Sequence, residues 1–140
     1  HRILNIITQP EGIPQGVMIR AIEPAAMIDQ MSKNRGGKTG PDISNGPGKL
    51  VEALAIPQEL YGQSIADSSL RLVFEKKKTP KKINALPRIG IPNKGVWTEK
   101  PLRFVVSGNP YISLQRKNQI EEDWGWRKEN EKEGSINIFR

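Results

Sequence analysis

With 140 residues, no cysteine, a single histidine (His1) and a net charge of +7, the chain is long enough for one domain with a buried core. The residue content excludes disulfides, iron–sulfur clusters, thiolate zinc sites, His-centred triads and His-rich metal centres, leaving carboxylates, Arg, Lys, Tyr and the backbone for chemistry. No apolar run approaches the length of a membrane span and no secretion signal is visible, so no membrane partner is expected.

Taken in chain order, Ile3-Leu4-Asn5-Ile6-Ile7 is a β-branched run closed by the turn cluster Gln9-Pro10-Glu11-Gly12. Gly16 to Glu23 predicts a second strand, with Val17, Ile19 and Ala21 on one face and Met18, Arg20 and Ile22 on the other. The short connection suits a hairpin. Pro24 stands where a helix can begin, because its missing N–H is not needed in the first turn. Met27, Ile28 and Met31 follow at helical spacing, and Gly36-Gly37 stops the pattern. A polar loop over 36–46 leads to a second helix starting at Pro47, with Leu50, Ala53 and Leu54 as its apolar stripe.

Leu70 to Glu75 alternates as a strand and runs into the basic loop 76–82. Arg88 to Ile91 predicts a short strand whose Gly90 marks a crowded position. Leu102 to Val106 is a further strand, followed by the turn Ser107-Gly108-Asn109-Pro110 and a strand over Tyr111 to Leu114. The expectation is an α+β fold: a mixed, mostly antiparallel sheet in a single domain, with two helices between the second and third strands. Residues 1–117 form that domain, and 118–140 form a charged C-terminal extension, an appended helix or tail. A chain that opens on His and enters a strand at once reads as a fragment or a processed chain.

The charge is uneven. Residues 1–120 hold eighteen Lys/Arg against nine Asp/Glu, a net +9, whereas 121–140 hold four against six, a net −2. A basic body with an isoelectric point near 9.8 is the electrostatic footprint of a nucleic-acid binder, although basic surfaces also serve solubility alone. The stretch Asn45-Gly46-Pro47-Gly48-Lys49 is not a Walker phosphate loop. Ile43 stands where that motif needs its first glycine, and Leu50 stands where it needs Ser or Thr. It resembles the hairpins of helix-hairpin-helix DNA binders, in which Gly46 and Gly48 would let backbone N–H groups approach a phosphate and Lys49 would add a full charge. Taken alone, the stretch reads first as an ordinary capped helix. The lysines of 76–82 are by default a solvated face. Arg20, set among Met18, Ile19, Ala21 and Ile22, should be half-buried and in need of a carboxylate, carbonyls or a ligand. Asn5, inside an apolar run, raises the same question of a buried amide.

Four separated segments, Arg20-Ala21-Ile22-Glu23-Pro24, residues 45–56 (NGPGKLVEALAI), residues 88–91 (RIGI) and residues 100–113 (KPLRFVVSGNPYIS), share an order and spacing that resembles the alkyladenine, or 3-methyladenine, DNA glycosylases over roughly residues 1–116. The resemblance implies a curved sheet with flanking helices and a monomeric, monofunctional enzyme. Its partner would be double-stranded DNA carrying a damaged purine. It further implies base flipping and hydrolytic excision of alkylated or deaminated purines, with no metal or other cofactor and no Schiff-base lysine. Carried over residue by residue, Asn5 matches the pocket asparagine that rejects guanine. Arg20 matches the arginine that holds the attacking water, and Ile89 the residue whose carbonyl accepts from that water. Gly46, Gly48 and Lys49 match a DNA-backbone contact. The general-base glutamate, the stacking Tyr and His of the pocket and the tyrosine wedge have no matching positions, so these 140 residues alone should not hydrolyse the bond. Such a protein would work in the cytoplasm on the nucleoid, or in a nucleus. A non-catalytic basic DNA-binding module and an RNA-associated basic protein are the competing readings.

Overall fold

In the computed structural model, which describes residues 1–73 and 78–128, the first β-branched run forms strand β1 (Leu4–Ile7) and Gly16 opens β2 (Gly16–Ile19). The two pair antiparallel with Leu4 opposite Ile19, Asn5 opposite Met18, Ile6 opposite Val17 and Ile7 opposite Gly16. The expected hairpin is present, and Gly12 takes a left-handed φ of 88° in its loop. β2 ends four residues before the predicted limit for a tertiary reason. The Ile22 N–H donates to Ser44 O (3.3 Å), and Ser44 Oγ donates back to Ile22 O (2.7 Å). That reciprocal pair takes the chain out of the hairpin and onto the loop before the second helix.

Helix α1 spans Ile28–Asn34, starting beyond Pro24 because Met27 adopts a left-handed φ of 55°. Gly36 and Gly37, with φ of 64° and 82°, stop it as anticipated. A 3-10 turn over Gly40–Ile43 precedes helix α2 (Pro47–Ala53), which begins at the expected proline. Met31, Ile43 and Ala53 form the buried cluster, Ile22 packs on it, and Leu50 is fully buried beside Val51. Leu54 departs from the predicted stripe. The helix ends at Ala53, and the Leu54 side chain turns outward to 40% exposure. Asn34 Nδ2 donates to Ala53 O (2.8 Å), and Arg35 pairs with Glu52, so the ends of α1 and α2 are fastened together.

Contacts divide the described chain into two units, residues 1–73 with 111–114 and residues 78–110 with 115–128. In the second, β3 (Ile83–Leu86) pairs antiparallel with β4 (Arg103–Val106), Ile83 lying opposite Val106 and Leu86 opposite Arg103. Helix α3 (Val96–Glu99) lies in their connection. The sequence reading anticipated β4 and missed β3 and α3. Ile83-Asn84-Ala85-Leu86 mixes poor and good strand formers, so its pairing with β4 is what makes it a strand.

Three predicted strands are absent among the described residues. Residues 70–73 are irregular, and 74–75 lie outside the described residues. Arg88 to Ile91 enters a turn at Ile89-Gly90. Gly90 has open space where a side chain would sit and a φ of 73°, so its glycine serves conformation and not crowding. Tyr111 to Leu114 is a turn as well, with Leu114 at a φ of 63°. The fold is α+β, and its described strands form two separate two-stranded antiparallel sheets instead of one continuous sheet. Strands of four residues, each paired with one partner only, leave no long edge from which a wider sheet could grow. Among the described residues no helix is long and apolar enough to cross a membrane.

Candidate nucleic-acid interface

The corner at Gly46-Pro47-Gly48-Lys49 is built from Ser44 and Asn45 outward. Ser44 is fully buried by its bonds to Ile22, and Ser113 Oγ donates to Asn45 O (2.7 Å). The Lys49 side chain folds back, and its Nζ donates to Asn45 Oδ1 (2.7 Å) and Asp42 Oδ1 (3.0 Å). The ammonium holds the Asp42 carboxyl below the usual range, first by hydrogen bond and then by charge. Lys49 retains 39% side-chain exposure, so it pairs locally while facing water. Of the two glycines, only Gly48 is crowded. A Cβ at Gly46 would make an ordinary contact with Lys49 Cδ at 3.4 Å, whereas one at Gly48 would lie tight against His1 Cβ at 3.2 Å.

The hairpin register places Asn5 directly across from Met18. Arg20 lies two positions beyond Met18, just past the ladder, and the period of two puts it on the same side as Asn5. Diagonal neighbours of this kind sit about 7–8 Å apart in sheet geometry. Arg20 is half-buried, as expected, with its Nε fully enclosed. Asn5 corrects the expectation of a buried amide. It is exposed, because β1 turns Leu4 and Ile6 inward and Asn5 and Ile7 outward. Ile89 belongs to the second unit, in the Ile89-Gly90 turn, where Arg88 Nη2 donates to Trp97 O (2.7 Å). Among the described residues its carbonyl accepts no backbone hydrogen bond.

Sequence reasoning passed over Asp42, Asn45, Ser44, Ser113 and Tyr111. The available signal was a run of polar residues on both sides of Ile43, which could only be kept there by hydrogen bonding. Tyr111 is buried in the first unit, and burial, then the nearby Glu23 charge, raises its phenol pKa. Of the described residues, the first unit holds seven Lys/Arg and seven Asp/Glu, while the second holds eleven against four, a net +7. The basic character of the chain therefore belongs to the second unit. Among the described residues no group of three or more His, Asp or Glu could hold a metal ion.

Residues 1–110 match the model of the methylpurine-DNA glycosylase family. The chain belongs to that family. A protein of Enterococcus faecalis, provisionally named a 3-methyladenine DNA glycosylase, is 62% identical over the whole of this chain and 62% of its own length. A provisionally named 3-methyladenine DNA glycosylase of Staphylococcus saprophyticus is 49% identical, covering 91% of this chain and 63% of its own length. One of Listeria monocytogenes is 52% identical, covering 86% and 58%. The chain thus spans about three-fifths of the length of these glycosylase-family relatives. Asn5, Arg20, Gly46, Gly48, Lys49 and Ile89 all fall inside the family match, whereas the segment after residue 110 lies outside it.

Proposed function

We propose that this chain is the part of a base-excision-repair glycosylase that grips DNA and lines the pocket for a flipped purine. The observation that carries the reading is the family match over residues 1–110, which includes every residue assigned a role. The substrates are 3-methyladenine, related alkylated purines and hypoxanthine, and the partner is duplex DNA containing them. In the reaction a water oxygen forms a bond to the sugar C1′ while the bond from C1′ to the purine nitrogen breaks. The bonding pair leaves with the base, and the water proton passes to a general base.

In this reading Arg20 holds that water, and the role that the resemblance implies for the Ile89 carbonyl is that of a hydrogen-bond acceptor. The role of Arg20 suits a half-buried side chain whose Nε is enclosed, and that of Ile89 suits a carbonyl that accepts no backbone hydrogen bond among the described residues. The exposed Asn5 amide, on the Arg20 side of the hairpin, opposes the exocyclic amino group of guanine. A general-base glutamate has no counterpart in these 140 residues, so the base belongs to sequence outside them, as the length of the relatives accommodates. Lys49 exchanges Asp42 for a DNA phosphate, positioning the duplex without reading its sequence.

The experiment is base release from duplex DNA carrying hypoxanthine, comparing the 140-residue chain with a full-length relative. The relative should release hypoxanthine and the chain should not. In the relative, substitution at the position of Arg20 should lower kcat more than binding. If full-length protein binds damaged DNA and releases nothing, the non-catalytic binding module is the correct reading. Tighter binding to RNA than to DNA would overturn both.

A further inference from the structure

Residues 78–82 of the lysine loop and residues 124–128, beyond the family match, meet in a short ribbon. Pro80 and Trp126 form an antiparallel bridge, the Lys81 N–H donates to Gly125 O (2.8 Å), and the Arg127 N–H donates to Thr79 O (2.9 Å). Alternation from that bridge sets Lys78, Pro80 and Lys82 on one face with Trp126 and Lys128. The contact of Lys78 Nζ with the Trp126 ring, 5.4 Å from its centroid, agrees with that placement. Lys81 points to the other face, where Asp123 neutralises it. Lys82 and Lys128 are exposed. At the near end of the ribbon Trp124 is 40% exposed and is held at a left-handed φ of 55°, an unfavourable conformation for a bulky residue. Its carbonyl accepts from Asn109 Nδ2 (3.2 Å), which ties the turn to the end of β4.

We propose that this ribbon is a docking surface for single-stranded DNA, with Lys78, Lys82 and Lys128 on phosphates and Trp124 stacked on an unpaired base. The choice of DNA rests on the glycosylase reading; the choice of a single strand rests on the surface itself. A net +7 unit attracts a phosphodiester backbone, and a part-exposed indole at the end of a lysine-bearing ribbon suits a base whose face is open. A duplex hides its base faces in the stack and would use the lysines alone.

The test uses the 140-residue chain with a labelled oligothymidylate of roughly twenty nucleotides, a duplex of the same length and an oligouridylate. Trp124→Leu should weaken oligothymidylate binding roughly five- to hundredfold, and Trp124→Phe should restore most of it. The combined Lys78→Gln, Lys82→Gln and Lys128→Gln variant should flatten the salt dependence for oligothymidylate by about two. Binding should also quench tryptophan emission in a Trp97→Phe background, a readout that needs no change in the ribbon. Unchanged oligothymidylate affinity in Trp124→Leu, an equal loss on duplex, or tighter oligouridylate binding would overturn the proposal. Excision by a full-length relative together with an unresponsive Trp124 removes this inference alone. Single-strand binding through Trp124 without excision by that relative removes the glycosylase reading alone.

Discussion

The two units of the chain put their residues to opposite uses. The buried side chains Met31, Ile43, Leu50, Val51, Ala53 and Tyr111 all belong to the first unit, whose described residues balance to zero charge. Among its described residues the second unit buries only Pro110 of its apolar side chains, carries +7, and leaves Val96, Trp97 and Phe104 more than half exposed. Burial needs apolar side chains and electrostatic attraction needs lysines in water, so one short segment cannot maximise both. The first unit is therefore where packing holds the fold. The second is held by backbone bonds and tight crossings and is the one that attracts polyanions.

The largest expected effect tests the packing side of that contrast. Leu50→Ala should destabilise the first unit by about 2–5 kcal/mol, read by denaturant unfolding. A cost near zero would mean that the cluster around Leu50 is not the core. Gly125→Ala should come next, because a Cβ there would run into Ser107 O and φ is 77°. The strained backbone alone costs roughly 1–3 kcal/mol. Hydrogen exchange at the Lys81 and Arg127 amides should accelerate while the Leu50 amide stays protected; equal acceleration would erase the distinction between the units.

On the electrostatic side, Lys49→Ala should weaken binding of damaged and undamaged duplex alike and lower the salt slope by about one. Asp42→Asn should tighten that binding by less than about fivefold, since it removes a competitor worth a fraction of a kcal/mol at an exposed site. An unchanged slope would place the duplex contacts entirely elsewhere. The smallest effect concerns acid. Asp42 and Asp123 have pKa values lowered from 3.8 by Lys49 and Lys81 respectively, so each favours the folded state above that value. Their contribution is lost as pH falls below about 3.8 toward the folded values. Asp123→Asn should remove part of the pH dependence of unfolding in that range, its small stability loss being present near neutral pH and vanishing in strong acid. A steep loss between pH 5 and 7 would require a different titrating group.

Sequence alone determined the elements that rest on local chemistry. The Gln9–Gly12 turn, the stop at Gly36-Gly37, the start of α2 at Pro47 and the strand at Arg103–Val106 each follow from a residue with a strong backbone preference or a β-branched run. Family kinship was legible in the same way, because ordered motifs survive without any knowledge of the fold. Tertiary structure decided the rest. It ended β2 at Ile19 through Ser44, made a strand of Ile83–Leu86 through β4, and turned 88–91 and 111–114 away from strand geometry. It also exposed Asn5, gave Lys49 its partners Asp42 and Asn45, and brought Trp126 against Pro80 across a gap of more than forty residues. The physical reason is one of range. A propensity is worth tenths of a kcal/mol and acts within a turn, whereas a buried hydrogen bond or a packed neighbour is worth more and comes from anywhere in the chain.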